Sequence, residues 1–239
     1  MSVKDVKKQY LIDEATRLFV ERGIAGVTMR DIARAGGVGE ATVYRTFSGR
    51  GALVLACALQ LQERVGEQFL SAGEGGSGLA RIAAFYDVFT DTLADEPALY
   101  RFLSEFDAMC LIERPEGIGE YAENIDRIRE VFLAAYRDGV ADGSVRALSD
   151  PVGFYYATTH AMLSLCKKLA AERAVLPQDD RTDPVAEAAL MCEVVLSYLR
   201  AQGAPSQSKG IPPRSDAADQ HHETEKEGDV LQTGRFATP

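Results

Sequence analysis

Residues Val27 to Leu53 read VTMRDIARAGGVGEATVYRTFSGRGAL. Thr28 stands where a helix N-cap belongs, and Asp31 follows three residues on, the spacing of a capping box. Ile32 and Ala33 then face inward, and Gly36-Gly37 stops the helix after about two turns. Val38 returns to the core, and a short helix from Glu40 to Phe47 buries Val43 and Phe47. Two short helices joined by a glycine turn are what a helix-turn-helix requires.

The helical pattern continues outward in both directions. Upstream, the spacing predicts a helix from Val6 to Arg22, with Leu11, Ala15, Leu18 and Phe19 on one face, stopping at Gly23. Downstream, a long helix runs from Arg50 to Leu70 with Leu53, Cys57, Leu61 and Val65 as its apolar stripe. At 1.5 Å per residue it spans roughly 30 Å and can join a head to a second domain. Ser71 to Gly78 (SAGEGGSG) reads as a flexible loop. Helices follow at Leu79–Ala94, Pro97–Leu111 and Ile118–Asp142. Two more, Pro151–Glu172 and Pro184–Ala201, begin with an Asp cap (Asp150, Asp183) before a proline at the first helical position. Alternating strand patterns are missing, so the fold class is all-α. Three regions are expected: a head over 5–65 with the helix-turn-helix at 28–47, a helical body over 66–203, and a polar tail over 204–239 whose composition predicts disorder.

Composition narrows the function. The chain has 239 residues, 46% hydrophobic and 26% charged, which leaves ample apolar surface for a core and excludes wholesale disorder. No apolar run approaches the roughly 18 residues a membrane span needs, and the N-terminus lacks the apolar region of a signal peptide. The expectation is a cytoplasmic protein with no membrane partner. Cys57, Cys110, Cys166 and Cys192 lie far apart, at neither zinc-site nor disulfide-framework spacing, and only His160, His221 and His222 offer imidazole chemistry. No cofactor and no metal are expected. An all-helical enzyme would rest on His160 and scattered carboxylates at no spacing that specifies a reaction.

Charge is unevenly divided. The net value is −10, yet residues 1–60 hold nine Lys/Arg against six Asp/Glu, a net of +3, while the remainder holds 17 against 30, a net of −13. A basic head on an acidic body suits docking of one end onto phosphates. On the outer face of the Glu40–Phe47 helix stand Thr42, Arg45 and Thr46, opposite Val43 and Phe47. A helix with that face can enter a major groove about 12 Å wide. The planar fork of Arg45 can bond guanine O6 and N7 together, or it can serve a phosphate. Glu40 favours the helix dipole but repels DNA, so it either reads a cytosine amino group or points sideways.

The Thr cap, the D-I-A of the second helix, the glycine turn before Val38, the A-T-V-Y-x-x-F of the third helix and the basic residue then Leu of the fourth resemble the DNA-binding unit of the TetR family of transcriptional regulators. The resemblance reaches back to about Asp5 and covers about sixty residues. It implies a sequence-specific DNA-binding regulator, a repressor released by a ligand, acting as a homodimer on a palindromic operator. It implies backbone phosphate contacts from Tyr44 and Thr46, from Arg50 where the family usually has Lys, from the Gly39 N–H, and from Thr28 beside its capping role. Gly39 replaces the family's usual Ser cap and Gly36 its usual Ala. The last two helices are expected to form the dimer, through Tyr155, Thr159, Met162, Leu163 and Cys166 on one and Ala188, Met191, Val195 and Leu199 on the other. A small apolar or aromatic effector is expected among Phe85, Phe89, Tyr100, Phe106, Met109, Phe132, Tyr136 and His160. An alternative on the same scaffold is a thiol redox sensor using Cys110 or Cys166, which needs an exposed thiol of lowered pKa.

Overall fold

The computed structural model describes residues 2–171 and 183–201; the tail expected over 204–239 lies outside them, as does Glu172, and the helix expected to reach Glu172 ends at Leu169. The described residues form nine helices and no strand: α1 Val3–Arg22, α2 Met29–Ala35, α3 Glu40–Thr46, α4 Arg50–Ala72, α5 Gly78–Asp95, α6 Pro97–Glu113, α7 Ile118–Ala141, α8 Pro151–Leu169 and α9 Pro184–Leu199. The all-α expectation holds.

Where boundaries differ from the sequence reading, capping explains it. α1 starts a turn early because Ser2 and Asp5 form a capping box, with Ser2 N–H donating to the Asp5 carboxylate at 2.8 Å and Asp5 N–H donating to the Ser2 hydroxyl at 3.2 Å. Ser71 and Ala72 extend α4, and the Ser77 hydroxyl accepts the Ala80 N–H at 3.3 Å to open α5, so the glycine loop is shorter than its composition suggested. α9 stops at Leu199 because the chain there bonds laterally: Arg146 N–H donates to the Leu199 carbonyl at 2.9 Å and Ala201 N–H to that of Ser144 at 3.1 Å.

Two apolar cores share α4 and α6. The first gathers Leu11, Phe19, Ile32, Val43 and Phe47 from α1 to α3 with Leu53, Val54 and Cys57 of α4. It also takes Leu99, Phe102, Phe106 and Met109 of α6. The second gathers Phe69, Ile82, Phe85, Tyr86, Phe132, Tyr155, Met162, Cys192 and Leu199, with Phe85 ringed by Phe69 at 4.8 Å and Phe132 at 5.5 Å. Val65 and Leu103 touch both cores. α4 is therefore packed at its N-terminal end into the helix-turn-helix head and at its C-terminal end into the body, while α6 puts residues into both cores along the same stretch. α5 and α7 cross at glycines: a Cβ on Gly78 would lie 2.1 Å from the Gly139 nitrogen, so neither backbone can carry a side chain there.

Candidate nucleic-acid interface and interior cavity

The head is fixed by local bonds. Thr28 N–H and Thr28 Oγ1 donate to the Asp31 carboxylate at 3.0 and 2.6 Å, and Asp31 N–H donates to Thr28 Oγ1 at 3.2 Å. These bonds hold the Asp31 carboxyl below its usual range. Both hydrogen-bonding capacities of the Thr28 hydroxyl are engaged in the cap. Gly37 takes the left-handed turn at φ 62°, and Val38 N–H donates to the Ala33 carbonyl at 2.9 Å, which sets α3 against α2. Gly36 is required by closeness, since a Cβ there would meet Leu11 Cδ2 at 2.5 Å. Gly39 caps α3 in an extended conformation with open space where a Cβ would stand, so its N–H groups are uncovered by any side chain.

On α3, Val43 is buried while Tyr44 and Arg45 are exposed and Thr42 and Thr46 are half-buried. Arg45 Nη2 lies 3.4 Å from Thr42 Oγ1, so these two share one face. Thr46 turns its hydroxyl back onto the Thr42 carbonyl at 2.8 Å. Glu40 points sideways, its carboxylate 3.6 Å from Arg30 Nε, which removes a negative charge from the outer face. The structure gives Arg50 an occupation that the sequence did not suggest. Its Nη2 donates to the Ile24 carbonyl and, at 3.1 Å, to that of Val27, so the guanidinium ties the start of α4 to the connection between α1 and α2.

Between α4, α5, α6, α7 and α8 lies a cavity of about 310 Å³. Of the residues the sequence nominated, Phe85, Phe89, Tyr100 and His160 line it. Phe106 and Met109 belong to the head core, and Phe132 and Tyr136 pack in the body core away from the lining; the Tyr136 hydroxyl accepts the Leu148 N–H at 2.7 Å. Sequence reasoning missed Gln62, Tyr121, Tyr155, Asp107 and Lys167 on the wall. Gln62 is clamped, donating to the Tyr121 carbonyl at 3.0 Å and accepting from Asn124 at 2.8 Å. Lys167 is ion-paired to Asp107 at the rim. Burial alone could have flagged Gln62 and Lys167, but nothing in a single sequence reports burial of a polar residue.

The α8–α9 residues expected at a dimer contact are turned inward: Tyr155, Thr159, Met162, Cys166, Ala188, Val195 and Leu199 are all buried within this chain, and Leu163 and Met191 pack against the same core. The exposed apolar stripe is a different one, Leu190, Val194 and Tyr198 of α9 at 52%, 54% and 52% exposure, beside Val152 and Tyr156 of α8. The thiol-sensor alternative also loses its requirement. Cys57, Cys166 and Cys192 are buried, and Cys110, half-buried, has its pKa raised by desolvation and then by Asp107 and Glu113. Among the described residues no group of three or more His, Cys, Asp or Glu is placed to hold a metal ion, and no helix is long and apolar enough to cross a membrane.

Fold and head together define an all-helical protein with an N-terminal helix-turn-helix and a helical C-terminal domain. Residues 11–57 match the family model described as bacterial regulatory proteins, tetR family. An uncharacterized HTH-type transcriptional regulator from Mycobacterium tuberculosis is 38% identical over 60 residues, 25% of this chain and 30% of that protein. The match thus spans less than a third of the curated relative's length. Among solved structures, a TetR-family regulator from Agrobacterium tumefaciens is similar with a TM-score of 0.65 at 14% identity, over 83% of this chain and 100% of that one. The ketosteroid transcriptional regulator KstR2 of Mycobacterium tuberculosis is similar with a TM-score of 0.58 at 15% identity, over 82% and 95%. The head over residues 11–57 thus matches the tetR family, and the rest of the chain is similar in fold to solved structures of such regulators.

Proposed function

We propose that this protein is a transcriptional regulator that binds a palindromic DNA operator as a homodimer and is released by a small molecule held in the body, acting as a repressor in the cytoplasm. The observation that carries the DNA reading is the outer face of α3. Arg45, Thr42 and Tyr44 stand clear of the core, while Glu40 is drawn aside by Arg30. That leaves a reading face with a guanidinium fork, its neighbouring carboxylate, the exposed Glu40, being paired with Arg30, a chemistry suited to guanine edges. Thr46, with its hydroxyl on the Thr42 carbonyl, supports α3 from within, and the open N-terminus at Gly39 presents backbone N–H groups to a phosphate. Thr28 and Arg50 hold the head together and come near the duplex only secondarily.

The stripe Leu190, Val194 and Tyr198, repeating every four residues along α9, supports pairing with a second copy, since one head reads too few base pairs for specificity. The cavity supports release: it touches α4 and α6, the two helices that also enter the head core. Regions 5–65 and 66–203 then serve as DNA-binding unit and effector-binding, dimerising unit. Selection of bound fragments from random duplex DNA by the purified protein tests the reading. An enriched inverted repeat is expected; recovery of no enriched sequence over repeated rounds overturns it.

A further inference from the structure

The cavity wall reports the kind of molecule it takes. Most of it is hydrocarbon: Leu61, Val65, Phe69, Phe85, Val88 and Phe89 contribute one side. Its polar groups divide into two kinds. The first are satisfied within the protein. Gln62 bonds at both ends of its amide, the Tyr100 hydroxyl donates to the Phe89 carbonyl at 2.9 Å, the Thr159 hydroxyl donates to the Tyr155 carbonyl at 2.7 Å, and Tyr156 accepts from Arg129 at 2.7 Å. The second kind is the pair of phenols, Tyr121 of α7 and Tyr155 of α8, together with the imidazole of His160, which is exposed and lies against the Tyr156 ring. Among the described residues neither phenol hydroxyl has a hydrogen-bond partner, neither oxygen is sealed against protein, and both residues line the cavity. Burial raises both phenol pKa values, Tyr155 to about 12, so both are neutral O–H donors at physiological pH.

An unmet donor in an apolar site is a costlier defect than an unmet lone pair, so the two phenols ask for acceptors. Among the described residues the one lysine or arginine on the wall, Lys167, is already paired. Lys167, with a side chain 15% exposed, is neutralised by Asp107, and Asp107 would also repel an incoming carboxylate. Size sets a further limit. A volume of about 310 Å³ equals that of about ten waters, at the low end for organic-ligand sites. Tyr155 and Lys167, both on the wall, lie twelve residues apart on α8, roughly 18 Å of helix, so the lining follows that helix over several turns.

We infer that this cavity binds a small, uncharged hydrophobic molecule that offers oxygen acceptors to the hydroxyls of Tyr155 and Tyr121, and that it discriminates against carboxylates. The inference rests on the effector reading of the body and specifies that effector's chemistry.

Three probes with one aromatic frame test it by calorimetry on the full chain without DNA: 2-acetylnaphthalene, 2-naphthoate and 2-ethylnaphthalene. The ketone is expected to bind at least tenfold more tightly than the carboxylate and about three- to tenfold more tightly than the hydrocarbon, one hydrogen bond's worth. Tyr155→Phe and Tyr121→Phe keep the rings, and at least one of them is expected to erase the preference for ketone over hydrocarbon while leaving the hydrocarbon's affinity in place. Equal or tighter binding of 2-naphthoate, binding of none of the three, or an unchanged ketone preference in both variants overturns the inference. Repeating the titration with operator DNA separates the two claims. Probes that bind as expected yet never loosen the DNA complex sink the effector reading and leave the ligand chemistry standing.

Discussion

The carboxylate of Glu105, midway along α6, accepts the Ala25 N–H at 2.7 Å across 80 residues of chain. The same oxygens crowd Gly23, where a Cβ would meet Glu105 Oε1 at 2.5 Å, so α6 holds the turn between α1 and α2 from outside. On the same helix, within five residues of Glu105, Tyr100, Leu103 and Asp107 line the cavity. α6 therefore has one side on the cavity and one on the head. Glu105→Ala is expected to reduce stability by about 1 kcal/mol, the net worth of an exposed charge-assisted bond, and to shrink the effect of a bound ligand on DNA affinity. Comparing DNA affinity with and without ligand in both proteins checks it; an undiminished ligand effect would show that α4 carries the coupling alone.

Arg45 is exposed on α3 while Arg50 is bonded to the Ile24 and Val27 carbonyls, so the proposed reader and a structural brace are separable by mutation. Arg45→Ala removes an exposed side chain and is expected to leave unfolding free energy within about 0.5 kcal/mol of the parent. It should relax preference at one base pair of each half-site by about 1–3 kcal/mol. Arg50→Ala strips donors from the Ile24 and Val27 carbonyls and is expected to cost about 2 kcal/mol of stability, with Arg50→Lys recovering part. Urea unfolding together with binding to matched and mismatched operators distinguishes them. A sequence-blind loss for Arg45→Ala would assign it to phosphate instead.

Val194 stands on the exposed α9 stripe, 54% exposed and outside the core of the chain. Val194→Asp is accordingly expected to leave thermal unfolding of the dilute chain almost unchanged while placing a charge in each half of the proposed contact. Sedimentation should then report one copy where the parent gives two, and operator binding should fall at least tenfold because only one head engages. A dimer that survives Val194→Asp would relocate the contact.

The head was legible because its signals are local. A capping box, a left-handed glycine and a short apolar period each specify backbone within a few residues, and Thr28, Asp31, Gly37 and Val43 occupy the places those signals gave them. The body's helices were legible for the same reason, through Asp150-Pro151 and Asp183-Pro184. What escaped is orientation. α9 is apolar on two faces, Ala188–Cys192–Val195–Leu199 and Leu190–Val194–Tyr198, and periodicity alone does not say which one the chain buries. Arg50 escaped because its acceptors lie 23 and 26 residues away. The phenols of Tyr121 and Tyr155 look like any core aromatics until the packing around them shows that their oxygens have been left over.

Two glycines on helices predict opposite outcomes. Gly78 is pressed against Gly139 backbone, so Gly78→Ala forces α5 and α7 apart and is expected to cost about 3 kcal/mol, the upper end for overpacking against atoms that cannot swing away. Gly66, inside α4, has nothing within 4 Å of the place a Cβ would take. Gly66→Ala should therefore gain up to about 1 kcal/mol from helix propensity. Denaturant midpoints of the two variants read both signs at once, and a stabilised Gly78→Ala would refute the close crossing.

The thiols give a pH dependence whose sign follows from burial. Desolvation raises Cys166 to about 11 and Cys57 and Cys192 to about 12. In the unfolded chain a thiol ionises near about 8.5. Below that pH both states hold their protons and the contribution is constant. Above it the unfolded chain loses protons that the folded chain keeps, so stability falls as pH rises from about 8.5 through 11 to 12. Unfolding midpoints at pH 8 and pH 10 should differ in that direction, and Cys166→Ala should reduce the difference. At pH 8 a disulfide reagent is expected to modify Cys110 alone in the folded chain, slowly because its own pKa is raised, and all four thiols in denaturant. Rapid modification of a second thiol in the folded protein would mean that one of the three buried sites opens, and would restore a thiol to consideration as the sensing group.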